Sequence, residues 1–373
     1  MRRRTIFSLI VLMVCFSLGR SRISAQSATA PVGIFEGHGD VGTVLHAGSV
    51  NYDASKRTYN ISGSGENMWL AADAFQFVWK KVSGDVTLTA DAGFLTTTGN
   101  EHKKAVLILR QTLDGDSVYA DVALHASGLT SLQFRDEKGA VTREVQSNLS
   151  GPKRLRIAKR GDYVYMSLSA DGGEPKVAGG WLRIPLQGSF YVGIGVCSHD
   201  KDVVEQAVFS NVELSQPAAA AGQPTLYSTL ETIAIDSADR KVAYIAQGRF
   251  EAPNWTHDGK AFVFNRDGHL ERLAVGSDKP VTIDTGFANR CNNDHGISPT
   301  PPNSPSATIR RGIRNRRCIS SRSGAERRAA SLRHLLRTGT AGRPTARHWH
   351  SSASAMATST SMRSLQQAAK RRG

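Results

Sequence analysis

Cysteine is nearly absent from this 373-residue chain: there are four, and two lie in unusual segments, Cys15 in an N-terminal apolar run and Cys318 in an arginine-rich tail. The remaining two, Cys197 and Cys291, are too few for a disulfide framework and lack metal-ligand spacing. They read either as one bridge or as two buried thiols. No metal or other cofactor is expected. Long apolar runs are also missing: Ile6 to Leu18 falls short of the ~20 residues that span a bilayer. With Arg2, Arg3 and Arg4 before it and Ile23-Ser24-Ala25 after it, the run has the three-part pattern of a secretory signal peptide over residues 1–25. The expectation is export to the periplasm or beyond, without stable membrane insertion after cleavage.

Acid is the third scarcity, and it is local. From Thr300 to Gly373 there are 15 Arg and one Lys against a single acid, Glu326, so this stretch holds the whole formal charge of +15. Residues 1–299 are balanced. A basic tail invites a nucleic-acid reading. This one has no groove-reading motif, no aromatic interleaving beyond Trp349, and it follows an export signal, so nucleic acid is not the expected partner.

Helical periodicity is lacking from Pro31 to Ser215. What is there instead is a succession of short strand-like runs. "VTLTADAGFL" (86–95) alternates apolar and polar residues, while "AVLILRQTL" (105–113) is apolar on both faces. Hairpins are marked by Lys138-Gly139 and Gly161-Asp162. Such strands and turns predict a sandwich or jelly roll. The elements "GENMWLAADAFQFVWKKVSGDVTLTA", "KKAVLILRQTLDGDSVYADVALH", "LRIAKRGDYVYMSLSADGG", "YVGIGVCSH" and "AVFSNVEL" resemble, in that order, the concanavalin A-like (laminin-G-like) sandwich of exported bacterial proteins, over residues 31–215. That resemblance implies a fold shared by sugar-binding, protein-binding and hydrolytic members, and no activity by itself.

"SQPAAAAGQPT" reads as a linker, assigned to 216–225. Beyond it, Trp255-Thr256-His257-Asp258-Gly259-Lys260, the strand "AFVFN" and the turn Arg266-Asp267-Gly268 resemble one blade of a TolB-type β-propeller. Residues 282–299 open a second blade, which gives a partial propeller of about two blades over 226–299. The fold class expected is therefore all-β: a sandwich, a truncated TolB-like propeller fragment, and a disordered basic tail over 300–373.

The tail is compatible with another reading frame. Shifted by one base, residues 338–347 ("TGTAGRPTAR") admit YWHGWSPDGK, the blade signature, and 300–308 ("TPPNSPSAT") admit DAAKLAISD. The tail thus reads as propeller sequence translated out of register after Pro299.

For chemistry, no E-x-D-x-x-E strand and no full G-x-S-x-G are present, so Ser64 reads as a turn residue. Asp114, Asp116, Asp121 and Asp136 read as solvated single acids. The ligand-binding candidates are His199 and Asp200 in the loop "CSHDKD", Asn293, Asp294 and His295 in "NNDHG", and Trp181 as a ring that can stack on sugar. Trp69 and Trp79 read as core. Without a linear catalytic motif the chain is expected not to be an enzyme but to bind a glycan or a cell-envelope protein; its oligomeric state is left open. The alternative is a remnant of a secreted polysaccharide lyase, glycosidase or propeller-linked serine peptidase. We expect sequencing across the Pro299 codon to reveal one missing base; an intact frame encoding this tail overturns the frameshift reading.

Overall fold

Alternating apolar residues and turn-forming glycines favour strands, and among the described residues of the computed structural model every regular element is a strand. The structure describes residues 31–216, 225–286, 289–291, 295–297 and 309–311. The sandwich strands are β1 (Gly37–Val41), β2 (Ser49–Asp53), β3 (Thr58–Gly65), β4 (Met68–Trp69), β5 (Ala72–Asp73), β6 (Phe75–Ser83), β7 (Val86–Phe94), β8 (Lys104–Arg110) and β9 (Tyr119–His125). They continue with β10 (Thr130–Arg135), β11 (Arg143–Gln146), β12 (Arg154–Arg160), β13 (Tyr163–Ser169), β14 (Lys176–Val177), β15 (Leu182–Arg183), β16 (Ser189–Cys197) and β17 (Asp200–Ser215). After the expected linker come β18 (Tyr227–Ile233), β19 (Arg240–Gln247), β20 (Phe250–Trp255), β21 (Ala261–Arg266), β22 (His269–Ala274), β23 (Val281–Thr282), β24 (His295–Ile297) and β25 (Ile309–Arg311).

Two sheets form the expected all-β sandwich. The larger runs β1-β6-β16-β8-β9-β10-β11-β19-β18, and the smaller runs β14-β13-β12-β7-β17-β3-β2, with β15 paired to β13. Side chains alternate across each strand. Leu107, Leu109, Val122, Leu132, Val192 and Ile194 therefore meet Leu88, Ile157, Met166, Phe209 and Ile61 in one core between the sheets. The turn expectations hold at Gly139 (φ +74) and Gly161 (φ +54), which take the left-handed backbone that glycine permits. The larger sheet reaches past residues 217–224, because β19 pairs in parallel with β11 at Val145↔Arg240 and Gln146↔Lys241. Strands β20 to β23 form a separate four-stranded meander, with Asp267 and Gly268 both at positive φ in its tight turn.

The second face of the larger sheet is not simply solvated, which explains why β8 reads as apolar throughout. Near β6 it carries Phe75, Phe77 and Trp79, whose rings follow one another at 5.7 and 5.4 Å. A Cβ at Gly193 or Gly195 of β16 would fall within 3 Å of the Phe77 or Phe75 ring, so these glycines make room for the row. Trp79 is buried as expected. Ser64 is not in a turn: it lies in β3, buried, with its hydroxyl donating to the His46 carbonyl. Cys197 is a free buried thiol, so it does not bridge to Cys291.

Over the same face folds the small hairpin β4–β5. Its last residue, Asp73, is fully buried and accepts two hydrogen bonds from Arg135 (2.9 and 2.8 Å) and one from Arg110 (3.2 Å). Leu70, at the hairpin's tip, has φ +53, a conformation costly for a branched side chain. Its carbonyl is held by three donors: the Arg135 guanidinium, the Thr142 amide and the Thr142 hydroxyl. Removing one member of a buried ion cluster leaves the others uncompensated. We expect Asp73→Ala to lower unfolding free energy by about 3–5 kcal/mol in urea titrations.

Candidate functional site

Strand alternation puts Lys104 on β8, Asp121 and His125 on β9, Ser131 and Gln133 on β10, and Glu144 and Gln146 on β11 on this second face. Lys104 lies directly opposite His125; Asp121, Gln133 and Glu144 form one row in register. The β4–β5 hairpin adds Asn67 and Trp69, the segment before β8 adds His102, and the turn from β16 to β17 adds His199. Together they enclose a cleft of about 380 Å³, lined by Asn67, Trp69, His102, Lys104, His125, Leu129, Gln133, Glu144, Gln146 and His199.

Lys104 is the cation of this cleft. Its ammonium donates to Asn67 Oδ1 (3.0 Å) and the Met68 carbonyl (2.8 Å), and sits 5.5 Å from the centre of the Trp69 ring. Burial lowers its pKa, opposed by nearby Cys197 and Asp121. Trp69 therefore lines the cleft and is not core. The His125 Nδ1 lies 3.1 Å from the Leu129 carbonyl. A carbonyl only accepts, so Nδ1 carries the proton and Nε2 the lone pair. Burial, reinforced by Lys104, drives the His125 pKa down to about 3. The His199 ring is likewise shifted down, first by burial and then by Lys104. His102 faces both rings, with centroids 6.0 Å from His125 and 5.4 Å from His199. Among the described residues no group of three or more His, Cys, Asp or Glu side chains could hold a metal ion.

The segment that bears His102 is anchored from behind. Lys103, fully buried, pairs with Glu205 at 2.9 Å and donates to Thr96 and Thr98. His199 occupies left-handed backbone (φ +58), and its carbonyl accepts from the Asn100 side chain. Strained conformations of this kind persist where the surroundings hold them, and they gather at functional sites.

Of the ligand-binding candidates read from the sequence that lie among the described residues, only His199 belongs to this cleft. Asp200 begins β17, exposed, and accepts from the Asp202 amide. Trp181 lies beside β15, with 67% of its surface exposed and its ring 4.7 Å from that of Tyr163. His295, in β24, accepts from Asn254 through its carbonyl. Asn293 and Asp294 lie outside the described residues. Asp121 corrects an expectation: it is fully buried, not solvated, and burial raises its pKa to about 8. The legible signal was a polar residue at every fourth position of "YADVALH", on one face of an otherwise apolar strand.

Comparison with known proteins adds little detail. No family model matches the chain. An uncharacterized protein of Agrobacterium fabrum is 45% identical over 76 residues, 20% of this chain; the chain covers 26% of that relative's length. Among solved structures, a functionally unknown protein from Saccharomyces cerevisiae is 15% identical, with 46% of this chain and 93% of that one covered and a TM-score of 0.37. The alginate lyase A1-II′ is 8% identical over 48% of this chain and 93% of its own, at a TM-score of 0.32. A lichenase from a mouse hindgut metagenome is 12% identical over 43% and 80%, at 0.28. The expectation that the chain is not an enzyme is corrected here, since the lyase and the lichenase are enzymes. Residues gathered from separate strands leave no linear motif to find.

The pH dependence of the site follows from His125. Its folded pKa is depressed below the unfolded value of about 6.5, so its contribution to stability is present above that pH and lost as pH falls toward 3. The loss is up to about 1.4 kcal/mol per pH unit. We expect urea unfolding at pH 7 and pH 5 to show this slope in the parent and a shallower one in His125→Gln.

Proposed function

We propose that the sandwich is the catalytic module of an exported carbohydrate-active enzyme, and that its cleft cleaves an acidic polysaccharide by β-elimination. The observation that carries this reading is the cross-strand pair of Lys104 and His125, an ammonium beside a neutral imidazole whose tautomer is fixed with Nε2 as the base. Residues directly opposite on neighbouring strands have Cβ atoms about 5 Å apart, close enough for both to address one sugar ring.

Elimination needs three things from the protein. The uronate carboxylate must be met by donors, so that the adjacent C–H becomes acidic; the side-chain amides of Asn67 and Gln146 line the cleft for this. A base must take that proton, and His125 Nε2 accepts it. The departing glycosidic oxygen must gain a proton as its bond to C4 breaks and the C4–C5 double bond forms. Lys104, whose pKa burial has lowered, is the more willing donor for that change. Trp69 supplies a ring face on which a sugar stacks. In the same reading the signal peptide directs export, and the β20–β23 meander is a TolB-type propeller blade serving as a second platform.

The test is to follow ultraviolet absorbance of the unsaturated uronyl end formed from alginate and polygalacturonate. We expect turnover by the parent and a 10²–10⁴-fold lower rate for His125→Gln, the range general-base removal produces. New reducing ends without the absorbance would overturn elimination in favour of hydrolysis.

A further inference from the structure

Beneath the cleft the outer face of β9 and β10 holds polar atoms that the protein itself does not satisfy. Asp121, Ser131 and Gln133 are 0%, 0% and 1% exposed. Both Asp121 oxygens, the Ser131 hydroxyl and the Gln133 Oε1 have no side-chain partner. Asp121 is met by the Gln133 backbone amide, its neighbour across the ladder, and by no side chain. The three residues are contiguous: Gln133 lies opposite Asp121, and Ser131, two residues along on the same face, lies opposite the small Ala123. Gln133 also lines the cleft above. Its amide nitrogen is turned to Glu144 Oε2 at 3.4 Å, and Glu144 Oε1 is held in turn by Gln146 at 2.6 Å. The carbonyl end of Gln133 is thus aimed away from the Glu144 network, with no donor to meet it.

Buried polar groups are almost always paired, and each one left unpaired costs its full desolvation. Side chains so short of partners on three neighbouring residues of one sheet face are a built feature. We infer that Gln133, which lines the cleft, forms with Asp121 and Ser131, buried beside it on the same sheet face, a diol-binding floor that takes the hydroxyl edge of one sugar ring. The inference rests on the reading of the cleft as a carbohydrate site, though not on its elimination chemistry.

The donor and acceptor inventory selects the ligand class. Gln133 Oε1 only accepts; Ser131 donates and accepts; Asp121 is held protonated at neutral pH by burial and does both. Groups that each donate and accept, set side by side, satisfy all three, and vicinal hydroxyls are such groups. A carboxylate or phosphate presented here has no hydrogen for Gln133 Oε1 and leaves it unpaired. The anionic edge of a uronate then points toward Lys104 and the amides, and its hydroxyl edge toward β9 and β10.

The test uses the full chain, titrated calorimetrically with cellohexaose, oligomannuronate and oligogalacturonate, beside urea unfolding of the parent, Gln133→Leu and Ser131→Ala. We expect each variant to bind at least tenfold more weakly whichever oligosaccharide the parent binds, while its unfolding midpoint stays or rises because an unpartnered buried group is gone. A midpoint that falls while affinity is kept, or a parent that binds none of the three, overturns the floor. Binding of cellohexaose through Gln133 without cleavage of any uronate retains the floor and removes the elimination reading. Cleavage of alginate with KM unchanged in Gln133→Leu does the reverse.

Discussion

The carboxylate of Asp73, gripped from both sides by Arg135 and Arg110, is the constraint on which the rest of the site depends. Neither guanidinium nor carboxylate reaches solvent, so the cluster is worth having only while all its partners are in place. It fixes the β4–β5 hairpin over the larger sheet. The hairpin in turn delivers Asn67, the Met68 carbonyl and Trp69 to Lys104. A sheet face that would otherwise be open becomes a walled cleft, and a lysine that would otherwise be solvated becomes a buried one. The same guanidinium holds the Leu70 carbonyl, so the strained tip of the hairpin and the ion cluster are one structural unit.

Low dielectric is the common cause of the electrostatics. Lys104 and His125 are both shifted toward their uncharged forms, and Asp121 toward its acid form. Each loses hydration, and Lys104 further disfavours charge on the imidazoles near it. A core built for stability alone would fill this face with aliphatic side chains, as the opposite face of the same strands does with Leu107, Val122 and Leu132. The two faces of β8 to β10 therefore separate two tasks within single strands: one holds the sandwich together, and the other keeps polar groups short of partners.

That division explains what the sequence disclosed. Alternation, apolar runs and glycine turns are local, and they made the strands of the sandwich legible, with Gly139 and Gly161 at the hairpins where they were expected. His199 was found because several polar residues cluster around it in one turn. Lys104, His125, Gln133 and Glu144 are as many as 40 residues apart in the chain and are joined only by register, which local pattern does not specify. Asp121 was misread for a related reason. An acid alternating with apolar residues suggests a wet face, whereas Asp121 lies fully buried on a face that tertiary structure covers.

The parallel pairing of β11 with β19 has a consequence for how such a protein can be inherited. Glu144 and Gln146 lie on β11, and the strand's outer edge is closed by β19, with the Glu144 amide donating to Asp239. The segment that follows the sandwich therefore completes the sheet on which the cleft is built. Recombination that swapped the C-terminal module for an unrelated one would strip the strand that closes the edge of the sheet carrying the cleft. The two parts are free to diverge in sequence, but they can be exchanged only if the seam travels with them.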